Sequence, residues 1–135
     1  MIDLKYKEYS RLFKNLNKNS NNIRIKIYNA KIETTPYIFE PWDYAKEQFN
    51  LSRDYKLVGE GEIEIVNNQY SGNKMDFLED LFMALNVPNS KNKNINLDNF
   101  KYNGRSLSIS DVIYFVDDNE YYYVDDVGFI KILEK

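Results

Sequence analysis

The spacing of apolar positions changes several times along the chain. Tyr9, Leu12, Phe13 and Leu16 recur at the 3–4 interval of one helical face, with Leu4 ahead of them. Lys5, Lys7, Arg11 and Lys14 fall mostly off that stripe. The pattern predicts a short basic amphipathic helix over 4–16, suited either to packing on its own domain or to docking on a partner or a membrane surface. The Asn-rich run from Asn15 to Asn22 disfavours regular structure and reads as a linker. Residues 1–22 are therefore expected to form a helix and linker ahead of one domain, 23–135.

From Ile23 the period drops to two. Ile23, Ile25 and Ile27 alternate with Arg24, Lys26 and Tyr28, as in a strand with one buried face. Pro41 suits the first turn of a helix, and Trp42, Ala45 and Phe49 follow at helical spacing, so a helix is expected over about 41–50. Residues 55–66 read as a strand, broken or bulged at Gly59 and Gly61. Asn73 can cap a helix over about 74–85, whose stripe is Phe77, Leu78, Leu81, Phe82 and Leu85. Residues 89–99 are polar and read as a long surface loop. Ser106 to Asp111 reads as a turn. Three strands, 112–116, 121–125 and 129–133, then make a β-meander.

The sum is a single α+β domain. An antiparallel sheet of about five strands ends in the meander and packs against two helices, with the N-terminal helix added. The expected core is Ile25, Ile27, Phe39, Trp42, Leu57, Ile63, Ile65, Phe77, Leu78, Leu81, Phe82, Leu85, Leu107, Val112, Ile113, Phe115, Val124, Phe129 and Ile130.

Composition narrows the chemistry. The 135 residues include no Cys and no His, which removes disulfides, thiol nucleophiles, thiolate zinc sites and imidazole catalysis. Ser and Asp without His make no hydrolase triad, and Ser with Lys101 has nothing to fix a dyad. Gly59 and Gly61 lack the third glycine of a dinucleotide loop, because Glu64 stands there. Neither a secretory h-region nor a run of about 18 apolar residues is present. A cytoplasmic, non-enzymatic protein without cofactor, metal or membrane partner is expected.

Charge is uneven. Residues 1–31 hold eight Lys/Arg against two Asp/Glu, and residues 106–135 hold two against seven. The acidic set Asp117, Asp118, Glu120, Asp125 and Asp126 flanks two turns. Tyr121, Tyr122 and Tyr123 lie between them on one strand. Successive side chains of a strand point to opposite faces, so at least one phenol face is expected near the surface or a partner. These eight residues are the candidate protein-binding patch. Acidic neighbours would repel phosphate there, so a nucleic-acid contact, the alternative, falls to Lys5, Lys7, Arg11, Lys14, Arg24 and Lys26.

Several segments together resemble a known family. They are Tyr37-Ile38-Phe39-Glu40-Pro41-Trp42-Asp43, Asp54-Tyr55-Lys56-Leu57-Val58-Gly59 and the helix Met75–Asn86. Further on come Gly104-Arg105-Ser106-Leu107-Ser108-Ile109-Ser110-Asp111-Val112-Ile113, Tyr122-Tyr123-Val124-Asp125 and Gly128-Phe129. Their order resembles that of YodL-like domains over about residues 23–135. The resemblance implies an accessory domain of bacterial mobile elements, found in conjugative elements and phages of low-GC Gram-positive bacteria, often beside methylase or helicase modules. It implies no catalytic residues. The expectation drawn from it is a protein that binds a host or element-encoded protein, such as a CRISPR or restriction component. Gly104 and Gly128 are expected at positive φ in tight turns.

Overall fold

A computed structural model of the chain describes residues 22–66, 70, 73–87 and 94–132. The predicted N-terminal helix and all but the last residue of its linker lie outside the described residues.

The architecture is α+β, built among the described residues on an antiparallel sheet of seven strands. Strand β1 (Asn22–Ala30) is central. On one side it pairs with β2 (Tyr55–Ile65), and on the other with β5 (Val112–Phe115). The meander continues through β6 (Glu120–Val124) to β7 (Phe129–Ile132). Two short strands, β3 (Ile95–Asn96) and β4 (Phe100–Tyr102), pair with the far edge of β2. They fall within or beside the stretch expected to be a loop. They are too short to show a period, and their place depends on β2. At Gly61, with φ 145°, a Cβ would stand 2.3 Å from the Asn99 carbonyl oxygen; at Gly59 it would stand 2.9 Å from the Tyr102 ring. These glycines let β4 lie against β2, a packing role.

Both faces of the sheet are buried, and a bulge in β2 divides that strand between them. Ile27 pairs with Gly59 but Tyr28 pairs with Leu57, leaving Val58 as the extra residue. The bulge shifts the alternation of β2 by one. Ile63 and Ile65 join Ile23, Ile25 and Ile27 in one core, while Tyr55 turns to the other. Leu57 follows Tyr55 to that second face beyond its cover and is 42% exposed, so it is not core.

The first face is covered by a helix, α3 (Lys74–Asn86), which buries Phe77, Leu78 and Leu81. Asn73 caps it, accepting from the Met75 N–H (3.0 Å) and the Asp76 N–H (3.3 Å). Phe82, Leu85 and Phe129 are half-buried against this core. The second face is covered by residues 31–54. There the expected helix over 41–50 is two separate turns, α1 (Trp42–Ala45) and α2 (Leu51–Asp54). Asn50 starts the second turn by accepting from the Arg53 N–H at 2.9 Å, which divides what the spacing joins. Tyr37, Ala45, Phe49, Leu51, Tyr55, Val112, Tyr121 and Tyr123 form this second core. Trp42 and Ile130 are half-buried against it, and the Trp42 ring lies 5.0 Å from that of Tyr123. No helix among the described residues is long and apolar enough to cross a membrane.

Candidate interaction site at the motif end of the sheet

The tyrosine strand corrects the expected binding patch. All five residues of β6 are buried, because each face of the strand meets a covering layer. Tyr122 and Tyr123 are fully buried and Tyr121 is stacked on Tyr114 with ring centroids 4.2 Å apart. The Tyr123 hydroxyl donates to the Glu40 carbonyl (2.6 Å), and that of Tyr122 donates to Glu120 (3.1 Å). These phenols are core groups and offer no surface to a partner.

The acidic residues do not form one patch either. Five residues of strand, about 17 Å, separate the two turns that carry them. At the β5–β6 turn each carboxylate meets a cation. Asp117 accepts from Arg24 Nε at 3.0 Å. Lys74, wholly buried, reaches Asp118 at 2.8 Å and also Glu120, and its ammonium sits 4.9 Å from the Phe115 ring centroid. Lys131 adds a 3.0 Å contact to Glu120. Lys74 was legible: with Phe77, Leu78 and Leu81 it completes a 0, 3, 4, 7 stripe. Of the residues proposed for nucleic acid, Lys5, Lys7, Arg11 and Lys14 lie outside the described residues, Arg24 is engaged by Asp117, and Lys26 is half-buried on the same face of β1.

At the opposite end of the meander a different set of groups meets. Asp111, wholly buried, is its hub. It accepts from the Ala30 N–H (2.9 Å), Asn29 Nδ2 (3.0 Å), the Ser108 N–H (2.8 Å) and both terminal nitrogens of Arg105 (2.8 Å each). Burial pushes the Asp111 carboxyl upward, and these donors oppose that push. Gly104 lets Asn29 approach: a Cβ there would lie 2.2 Å from Asn29 Oδ1. Close approach, and not positive φ, is what that glycine serves; Gly128, at φ 71°, is the one that needs the left-handed region.

Two non-glycine residues at this end are also left-handed, Phe39 (φ 66°) and Ser110 (φ 85°). They are bonded to each other: the Phe39 N–H donates to Ser110 Oγ at 3.0 Å. Ser110 is pinned by its N–H on the Val124 carbonyl (2.8 Å) and by the Tyr55 hydroxyl on its own carbonyl (2.6 Å). The Trp42 N–H donates to Asp125 Oδ1 at 3.0 Å, tying the 31–54 layer to the β6–β7 turn. Phe39, which the sequence placed in the core, is 49% exposed, with the Arg105 guanidinium 5.4 Å from its ring centroid. Strain of this kind costs of order 1–3 kcal/mol per residue, and such residues cluster at functional sites.

Beside this knot runs a groove of about 400 Å³. Phe82 and Met83 of α3 form one wall, and Ile109, Val124, Gly128 and Phe129 the other. Glu79, Asp125 and Asp126 complete the lining, which among the described residues holds no Lys or Arg. Met83 is 50% exposed, and Val127 on the neighbouring turn tip is 86% exposed. Of the predicted binding residues, Asp125 and Asp126 are thus the two that stand at an open apolar surface. Phe39, Glu79, Phe82 and Met83 were missed; an aromatic in the left-handed region carries no sequence signal. Among the described residues, no group of three or more Asp or Glu could hold a metal ion.

A family model described as a YodL-like domain matches residues 27–134. No curated protein and no solved structure matches the chain.

Proposed function

The chain belongs to the YodL-like domain family, and from that premise we propose that it is a non-enzymatic binding protein of a phage or conjugative element. It engages a host or element-encoded protein in the bacterial cytoplasm, and its concrete role is to antagonise a defence component of the CRISPR or restriction type. One observation carries the reading: at the end of the sheet where Phe39, Arg105, Ser110 and Asp111 of the family segments meet, the domain presents apolar surface. Phe39 and Val127 face solvent, and the strained backbone of Phe39 is held outward by Ser110. The buried charges supply scaffold chemistry. Asp111 is locked by Arg105, Asp54 by Arg53 and Lys74 by two carboxylates.

The experiment is affinity capture from lysate of a bacterial host, with the full chain and its Phe39→Asp variant in parallel. A protein retained by wild type and lost from the folded variant supports the reading. Equal recovery by both, no protein recovered, or nucleic acid recovered in its place overturns it. The defence role adds its own readout, in which expression of the chain protects an incoming phage from an active CRISPR or restriction system.

A further inference from the structure

We propose that the groove between α3 and the β6–β7 turn receives a basic amphipathic helix of the partner protein. The inference rests on the binding role proposed above and names the chemistry of what is bound. Its apolar lining, from Phe82, Met83, Ile109 and Phe129, offers an apolar stripe of the incoming helix a place away from water. Its acidic groups stand on both walls, Glu79 on the helix and Asp125 and Asp126 on the turn. A helix with Lys or Arg on each flank of its apolar stripe satisfies both walls at once.

Charge balance is what selects a basic helix over an acidic or a neutral one. Asp54, Asp111, Asp117, Asp118 and Glu120 each face an Arg or Lys within the domain. The three groove carboxylates face no cation among the described residues. Asp125 Oδ1 accepts from the Trp42 and Asp126 N–H groups, and Asp126 Oδ1 accepts from the Val127 N–H, so both carboxylates are oriented by backbone before any partner arrives. An acidic or a neutral apolar segment would leave the walls unpaired or repelled.

The test uses the full chain and a fluorescein-labelled helical peptide carrying Leu at i, i+3, i+4 and i+7 with Lys on both flanks. A second peptide replaces every Lys with Glu. Fluorescence anisotropy should show saturable binding of the Lys peptide, weakening as salt rises, and no binding of the Glu peptide. Glu79→Lys and Asp126→Lys, both at exposed positions, should each weaken binding about tenfold with unchanged melting temperature. Met83→Asp should abolish it. Absence of binding, equal binding of both peptides, or indifference to the charge reversals overturns the proposal. If that happens while Phe39→Asp still loses a captured protein from lysate, the groove inference fails and the binding role stands; if neither discriminates, both fail.

Discussion

The two ends of the β5–β6–β7 meander carry similar sequence and opposite physics. At the β5–β6 turn, Asp117, Asp118 and Glu120 are matched by Arg24, Lys74 and Lys131. At the β6–β7 turn, Asp125 and Asp126 stand beside an apolar groove whose lining holds no cation among the described residues. The first end spends its charge on holding the fold, and the second leaves its charge for something outside. A run of acidic residues therefore says little about a binding surface until the cations brought to it by distant parts of the chain are known. Arg24 is 93 residues from its partner Asp117.

The largest losses of stability should come from the two buried charge hubs, Asp111 and Lys74. Asp111→Ala removes an acceptor that serves five donor nitrogens, depriving the Ala30 and Ser108 N–H groups and Asn29 Nδ2 of that partner in the interior and leaving Arg105 without its carboxylate. The loss should be about 4 kcal/mol or more, read as a drop in the urea midpoint, since breaking a buried charge pair costs about 3–5 kcal/mol. Lys74→Met should cost about 3 kcal/mol by the same measurement, because Glu120 and Asp118 lose a buried cation. The pairing of Lys74→Met with Glu120→Gln should recover part of that loss.

The second core has its own signature in alkali. Burial pushes the Tyr37 phenol up to about 12, and it pushes Tyr55 and Tyr123 upward as well. A phenol whose pKa is raised in the fold holds its proton more tightly folded than unfolded. The stability it contributes is complete below about pH 10, the unfolded value, and is lost as pH rises through the folded value. Absorbance at 295 nm should therefore show the exposed tyrosines titrating first and the buried ones ionising late, together with loss of the near-ultraviolet circular dichroism. Simple titration of every tyrosine near pH 10 with the fold intact would contradict this packing.

The smallest effect on stability should come from Phe39, on the exposed side of the motif end. Phe39→Gly releases a left-handed strain of about 1–2 kcal/mol and gives up a contact with Arg105 of about 0.5–1 kcal/mol. Its midpoint should stay close to wild type while partner capture is lost. A large drop in stability would show that Phe39 is a core residue after all.

What the sequence made legible was periodic. The strand alternation of Ile23, Ile25 and Ile27, the stripe and cap of α3 and the meander all rest on local spacing, and all three are found. What it hid was set by distant contacts. The bulge at Val58 reverses the phase of Tyr55 and Leu57, and the 31–54 layer covers the second face of β6. That layer on one face and α3 on the other turn Tyr121, Tyr122 and Tyr123 from an expected surface into core. The motif around Gly104, Arg105, Ser108 and Asp111 marks the family in sequence, and its bonds are those of a structural knot. The candidate site was half visible: Asp125 and Asp126 were named, but the groove they rim is closed on its other wall by α3, about 40 residues earlier.

The most direct test sets the two ends against each other. Partner capture by the full chain is compared for wild type, for Glu79→Lys with Asp126→Lys at the groove, and for Asp117→Lys at the β5–β6 turn, all checked for equal folding. Loss of the partner with the groove substitutions and its retention with Asp117→Lys is the predicted result. Retention at the groove, or loss at the β5–β6 turn alone, would contradict the account.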